Sequence, residues 1–274
     1  MILSVSRRTD IPAHFSRWFS QCLSRGIVKV GNPFNPHQVS TISLSPEDVT
    51  AFVFWTRNSQ PFLPVVQNQL KNHYRFYFLY TLTPYQFPLE TNLPSVKTLL
   101  SSLQQLSTII GSDKVIWRYD PIIISDHTDF TYHLSKFEGL ASALENYTQR
   151  VIISFLDFYK KTIRNLRPLE EQNWKFHQNP EILTGFKPFL KELKAIADRH
   201  QMEITSCSEK IDFSDTGIMP GSCVDVHLLN RLYSLNLTYR KDPHQRPKCL
   251  CAVSKDIGTY NTCSSGCLYC YANK

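Results

Sequence analysis

Through residue 206, short runs of β-branched and aromatic residues alternate with longer stretches in which apolar side chains recur every three or four positions. The short runs predict strands over Ile2–Ser6, Ala51–Trp55, Arg75–Tyr80, Val115–Trp117, Val151–Phe155 and Glu203–Ser206. The longer stretches predict helices near 12–24, 60–71, 93–109, 130–145 and 186–200, with a sixth near 223–235. AFVFW (51–55) and VIISF (151–155) are apolar without alternation, as in strands covered on both faces. Six β-then-α units imply a parallel sheet with crossover helices. The expected architecture is a partial, TIM-like (β/α)6 barrel over residues 1–235, with a complete eight-stranded barrel as the alternative. GNPFNPHQVSTISLS (31–45) predicts a small inserted hairpin or loop. Residues 236–274 read as a cysteine-bearing tail folded over the barrel mouth, part of the same structural unit.

Polar residues follow every predicted strand. The first runs into Arg7, Arg8, Thr9 and Asp10, the second into Thr56, Arg57 and Asn58, and the third into Thr81 and Thr83. The fourth reaches Arg118 and Asp120, the fifth Asp157, and the sixth Cys207 and Glu209. In a barrel, the carboxyl ends of strands line the active-site mouth. Arg7, Asp10, Arg57, Arg118, Asp120, Asp157 and Glu209 are therefore the candidate catalytic residues. The plainer reading makes them loop anchors, with Asp10 and Asp120 as helix caps. Three guanidiniums brought to one mouth stay charged, their pKa lying above about 12, and need an anion. The nearby carboxylates can supply it, as can a carboxylate or phosphate on a ligand. Arg118, between Trp117 and Tyr119, is the leading choice.

At 274 residues the chain suits one large domain, and 42% hydrophobic with 12% aromatic residues describes a globular protein. No apolar run approaches transmembrane length. Arg7-Arg8 superficially resembles a twin-arginine signal, but the following DIPAHFSRWFSQCL is broken by charge and proline. A cytoplasmic location is expected, where eight cysteines point to metal ligands or buried thiols over disulfides. The net charge of +7 suits an anionic substrate, a nucleic acid or an acidic partner. The basic clusters at Lys160, Lys161, Arg164 and Arg167, and from Arg240 to Lys248, read more simply as solvated faces.

Cys263, Cys267 and Cys270 stand at C-x3-C-x2-C spacing. Three thiolates so placed can hold three irons of a [4Fe-4S] cubane and leave the fourth open. Zinc wants a fourth nearby ligand. Cys207, Cys223, Cys249 and Cys251 supply four more thiols from three places, enough for a second, fully ligated [4Fe-4S] cluster or a zinc ion, with unliganded thiols as the bland reading. Cys22 falls at helical spacing from Phe15, Trp18 and Phe19 and reads as a core residue. His14, His37, His127, His133 and His227 show no H-E-x-x-H arrangement and read as ordinary polar residues, and no glycine-rich phosphate loop is present.

NTCSSGCLYCYA (261–272) resembles the signature of radical S-adenosylmethionine (SAM) enzymes. That resemblance implies SAM chelated at the open iron, its reductive cleavage, and hydrogen abstraction from a substrate by the adenosyl radical. It places Tyr269 and Asn261 with the cofactor, Tyr269 against the adenine, and implies a reductant such as a flavodoxin or ferredoxin. SRRTDIPAHFSRWF, VFWTRN, VIWRYDPI and DIGTYNTC resemble, together with most of the chain, an uncharacterised bacterial family that supplies no activity. Radical SAM enzymes usually carry their cysteines in the loop after the first barrel strand. Here that loop is SRRTDIP, so a permuted arrangement is implied, the tail bringing the cluster to the mouth. No Gly-Gly-Glu-like stretch for the SAM amino group is found. Two other readings stay open: a non-radical iron–sulfur redox or Lewis-acid protein, and a zinc-stapled nucleic-acid-binding module. The polar strand ends favour an enzyme over a module.

Overall fold

The computed structural model describes residues 1–33 and 35–273, with Pro36 described by its backbone alone. Phe34, inside the expected hairpin, and Lys274 lie outside the described residues. The strands are β1 (Ile2–Val5), β2 (Ile27–Asn32), β3 (Asn35–Ser43), β4 (Ala51–Thr56), β5 (Phe76–Thr81), β6 (Val115–Ile122), β7 (Arg150–Phe155), β8 (Glu203–Cys207), β9 (Met219–Gly221) and β10 (Lys255–Asp256). The helices are α1 (Ile11–His14), α2 (Ser16–Arg25), α3 (Leu63–Val65), α4 (Val96–Ile110), α5 (Phe130–Leu144), α6 (Lys160–Glu170), α7 (Phe186–Arg199) and α8 (Val226–Tyr233).

Eight strands form one all-parallel sheet in the order β10-β1-β4-β5-β6-β7-β8-β9. β4 and β5 are buried along their whole length, which explains their unbroken apolar runs. On one face Phe52, Phe54, Phe76, Phe78, Trp117 and Val151 pack in the larger core, with α2, α4, α5 and α7. Those helices turn apolar stripes to the sheet; α7, for example, buries Phe189, Leu190, Leu193, Ile196 and Ala197. The opposite face, with Val53, Trp55, Tyr77, Leu79, Ile116 and Ile152, packs in a second core with α8 and four of the cysteines.

β9 and β10 are the two edges and do not pair with each other, so the sheet is open. The complete eight-stranded barrel is therefore not formed, although eight parallel strands are present. The tail, expected only to cover the mouth, also gives the sheet its edge strand β10. The inserted hairpin begins earlier than expected and pairs Ile27–Asn32 with Asn35–Ser43 outside the main sheet. The helix expected near 60–71 is broken into a 3-10 turn, the short α3 and a π turn, with Pro61 and Pro64 each near the start of a piece. Among the described residues no helix is long and apolar enough to cross a membrane.

Candidate metal centre

The carboxyl ends of the strands open onto a cavity of about 950 Å³. Arg7, Asp10, Arg57, Arg118, Asp120 and Asp157 line it, as do all seven cysteines singled out from the sequence. Glu209 and Asn261 do not.

The loop bearing Cys263, Cys267 and Cys270 starts from β10. That two-residue strand has no apolar run; polar bonds fix it beside β1. The Ser4 and Ser254 hydroxyls lie 2.9 Å apart. Asp256 accepts from the Ser6 hydroxyl at 2.7 Å and from the Arg7 N–H at 2.8 Å. At Gly258 a Cβ would come 2.0 Å from Ser6 Oγ, so the close approach of the loop requires glycine. The loop then crosses the strand ends. Leu268 N–H donates to Leu89 O at 3.0 Å, Asn92 Nδ2 to Ser264 O at 3.0 Å, and the His14 ring bridges the hydroxyls of Ser265 (2.9 Å) and Ser264 (3.1 Å). Asn261 is exposed and closes the loop through its backbone, donating to Ala272 O at 2.9 Å.

Tyr269 is a core aromatic beneath this loop. Its ring meets Tyr85 edge-on at 5.9 Å, and its hydroxyl bonds both Arg57 and Glu90. Arg57 Nη2 lies 2.7 Å from Glu90 Oε1 and donates to Thr83 Oγ1 at 2.5 Å. Its charge is thus held inside the protein, where Tyr269, Glu90 and Cys267 outweigh the burial that opposes it and raise its pKa further. The three thiols are only partly buried. Burial raises the Cys263 thiol, but hydrogen bonds from His14 and Ser265 bring it down to about 7, whereas burial pushes Cys267 up to about 12 against the pull of Arg57.

The other polar strand-end residues divide by partner. Asp10 caps α1 through Ala13 N–H (2.9 Å) and receives Thr56 Oγ1 (2.8 Å) and Arg57 N–H (2.7 Å), bracing β1 to β4. Arg118 pairs with Asp120, which also receives the Ser154 hydroxyl. Asp157 pairs with Arg246. Glu209 accepts Phe155 N–H at 2.9 Å, and burial raises its carboxyl to about 7 against that bond. Arg7 differs. Among the described residues it makes no ion pair, its Nη2 is buried without a hydrogen-bond partner, and its guanidinium stacks 5.1 Å from the Trp55 ring centre. Burial opposes its charge, but Cys251, Asp256 and Cys223 favour it more. Arg7 and the four cysteines line the same cavity.

Cys207, Cys223, Cys249 and Cys251 do converge. Cys207 Sγ and Cys223 Sγ are 3.6 Å apart, and Val224 N–H donates to Cys251 Sγ at 3.4 Å. All four are buried in the inner core.

A family model described as Domain of unknown function (DUF1848) matches residues 2–272. The chain belongs to the DUF1848 family. No curated protein matches it.

In this DUF1848 protein the sequence reading foresaw the cavity's cysteines and Arg7, Arg57 and Arg118, but took Arg240 and Arg246, which also line it, for a solvated face, and missed Glu90 and His14. Glu90 lies in the 82–95 loop, away from any strand end, and only the return of the tail makes it a partner. His14 stood in α1 with nothing nearby in sequence to mark it. Among the described residues no three Cys, His, Asp or Glu side chains surround one point closely enough to hold a single metal ion. A cubane, which takes each thiolate on a different iron, does not ask for such a single point. The donor set fits such a cluster: three partly buried thiols facing a cavity that has room for a further ligand.

Proposed function

We propose that this protein is an iron–sulfur enzyme of radical-SAM-like type, whose open parallel sheet is a permuted partial barrel. The observation that carries the reading is the place of the cysteine loop. Counted from β10, the sheet runs β10, β1, β4, β5, β6, β7, β8 and β9, each strand beside the next. The loop with Cys263, Cys267 and Cys270 then follows the first strand, which is where radical SAM enzymes carry theirs.

A [4Fe-4S] cluster with one open iron would supply reductive cleavage of SAM, given electrons from a flavodoxin or ferredoxin. The chain's own residues hold the loop and shape the space. Glu90, Arg57 and Tyr269 fix its underside, and His14 its crossing over α1. Arg118 remains the residue for an anionic group on SAM or on the substrate. Its pair with Asp120 is partly exposed and lies on the cavity wall, and its Nε is buried without a partner.

The test is anaerobic incubation of reconstituted protein with SAM and dithionite, with chromatographic detection of 5′-deoxyadenosine. The expected result is deoxyadenosine that depends on Cys263, Cys267 and Cys270. An iron-loaded protein that yields none above the level of the cysteine variant rejects the reading. One observation favours a second reading: the chain has no Gly-Gly-Glu-like stretch for the SAM amino group. A non-radical iron–sulfur enzyme using the open iron as a Lewis acid would bind iron equally and fail the SAM assay.

A further inference from the structure

We propose that Cys207, Cys223, Cys249 and Cys251 hold a thiolate-bound metal centre that clasps the open seam of the sheet, tying its two edges together. Its role would be structural, and it stands apart from the proposed SAM chemistry.

The argument starts from where the four residues lie. Cys207 ends β8, and Cys223 comes just after the edge strand β9. Cys249 and Cys251 come just before the other edge strand, β10. Cys207 and Cys223, whose sulfurs meet at 3.6 Å, belong to the β8–β9 edge, and the 3.4 Å bond from Val224 N–H to Cys251 Sγ joins that edge to the tail segment leading into β10. Backbone support at this seam is thin: Ala252 N–H donates to Val224 O at 2.9 Å, but no ladder connects β9 to β10. The edge strands themselves have three and two residues, too few to hold the edges by strand pairing alone.

The chemistry of the donors agrees. The sulfurs of a tetrahedral ion with metal–sulfur bonds near 2.3 Å lie roughly 3.8 Å apart, close to the Cys207–Cys223 separation. The four sulfurs do not surround one point, so a metal must either draw them together or enter as a cluster that takes each sulfur on a different iron. Arg7 lines the same cavity as the four cysteines, with its Nη2 buried and without a hydrogen-bond partner. Four thiolates around a divalent ion or a cubane keep a net negative charge, which the Arg7 guanidinium over Trp55 offsets. On the side away from the cavity an apolar surround backs the set: Val53, Leu79, Val224 and Leu229 belong to the same core. A closed, fully ligated site with no open position is the structural kind.

The clasp also sets up the other cysteine loop. Cys251 lies four residues before Lys255, and β10 leads directly into Gly258 and the Cys263 loop. Fixing residues 249–252 to Val224 fixes the start of β10 against β1. Dependence is therefore one-way: losing the clasp frees the Cys263 loop, and losing the loop's cysteines leaves the clasp.

The test uses the full chain with Cys263→Ala, Cys267→Ala and Cys270→Ala together, purified without oxygen. This variant keeps all four clasp cysteines, and its metal content and melting temperature are measured before and after chelation. We expect either about one zinc or about four irons per chain, the count separating an ion from a cluster. Stripping the metal should lower the melting temperature by about 10 °C and speed tryptic cleavage within 236–254 by roughly 10-fold. A triple variant that binds no metal overturns the proposal, as does metal whose removal leaves melting and cleavage unchanged. Cys249→Ser with Cys251→Ser, in the otherwise native chain, should lose this metal; retention of it counts equally against the clasp. None of these readouts involves SAM, so failure of the proposed activity and failure of the clasp are told apart.

Discussion

Two sets of cysteines face one cavity, and their surroundings could hardly differ more. Cys207, Cys223, Cys249 and Cys251 are buried in the inner apolar core, beside α8 and the strands. Cys263, Cys267 and Cys270 are partly exposed on a loop held by polar side chains: His14, Asn92, Glu90 and Arg57. On the readings proposed above, one residue type would serve two purposes set by environment. Enclosure favours a saturated centre that holds structure; partial exposure beside free space favours one that meets a ligand.

The strongest test of this contrast removes the loop's thiols. The Cys263, Cys267 and Cys270 triple alanine variant should lose about four irons per chain and the corresponding absorbance near ~400 nm, with all deoxyadenosine formation. Unaltered iron content would break the contrast at its root. The next largest effect should come from Glu90→Ala. It strands the Arg57 guanidinium, whose ion pair with Glu90 is 11% and 2% exposed at the side chains. A loss of roughly 3–5 kcal/mol in urea unfolding is expected, together with poorer iron loading of the Cys263 loop. If that loop loads normally in a folded Glu90→Ala protein, the network beneath it does not position it.

Tyr269→Phe sharpens the same comparison more gently. It removes the hydroxyl shared by Arg57 and Glu90 while keeping the ring against Tyr85. Unfolding should cost about 1–2 kcal/mol less free energy than in the native chain, with any bound SAM little affected. A large loss of SAM affinity instead would give Tyr269 the cofactor contact that its family resemblance suggests.

The smallest effect concerns a buried histidine that belongs to neither set. His133 is fully buried, with Nδ1 2.8 Å from the Tyr119 hydroxyl and Nε2 2.9 Å from Ile123 O. Burial lowers its pKa from 6.5 to about 4. Its neutral form is therefore favoured by folding, so stability is complete above pH 6.5 and falls as pH drops toward 4. Unfolding midpoints measured across that window should fall less steeply in His133→Gln, whatever metal is bound.

Much of the frame was legible because the signals were local. VIISF and AFVFW could only be covered strands, and the stripes of α4, α5 and α7 were plain in their apolar spacing. The two edge strands were not. Met-Pro-Gly in β9 and Lys-Asp in β10 carry no β pattern; partners distant in sequence hold them in the sheet. α6 was missed because its charged residues and Pro168 hide a stripe of Thr162, Leu166 and Leu169. At the site, spacing announced the three-cysteine loop and strand ends announced the arginines. It could not announce that Arg57 is satisfied by Glu90 while Arg7 faces thiols, since both depend on how the tail returns.

The pairing of β1 with β10 has a consequence for how the molecule is made. Ser4 and Ser254 are 250 positions apart, and a ribosome adding about 5–20 residues per second needs on the order of tens of seconds to travel between them. Through that interval the outer edge of β1 has no strand beside it and offers its backbone to any neighbouring chain. The polar Ser4 and Ser6 are the only interruptions in an otherwise apolar edge segment, ILSVS. Because β10 is made after every other strand of the sheet, that edge can close only once the rest of the sheet has been synthesised.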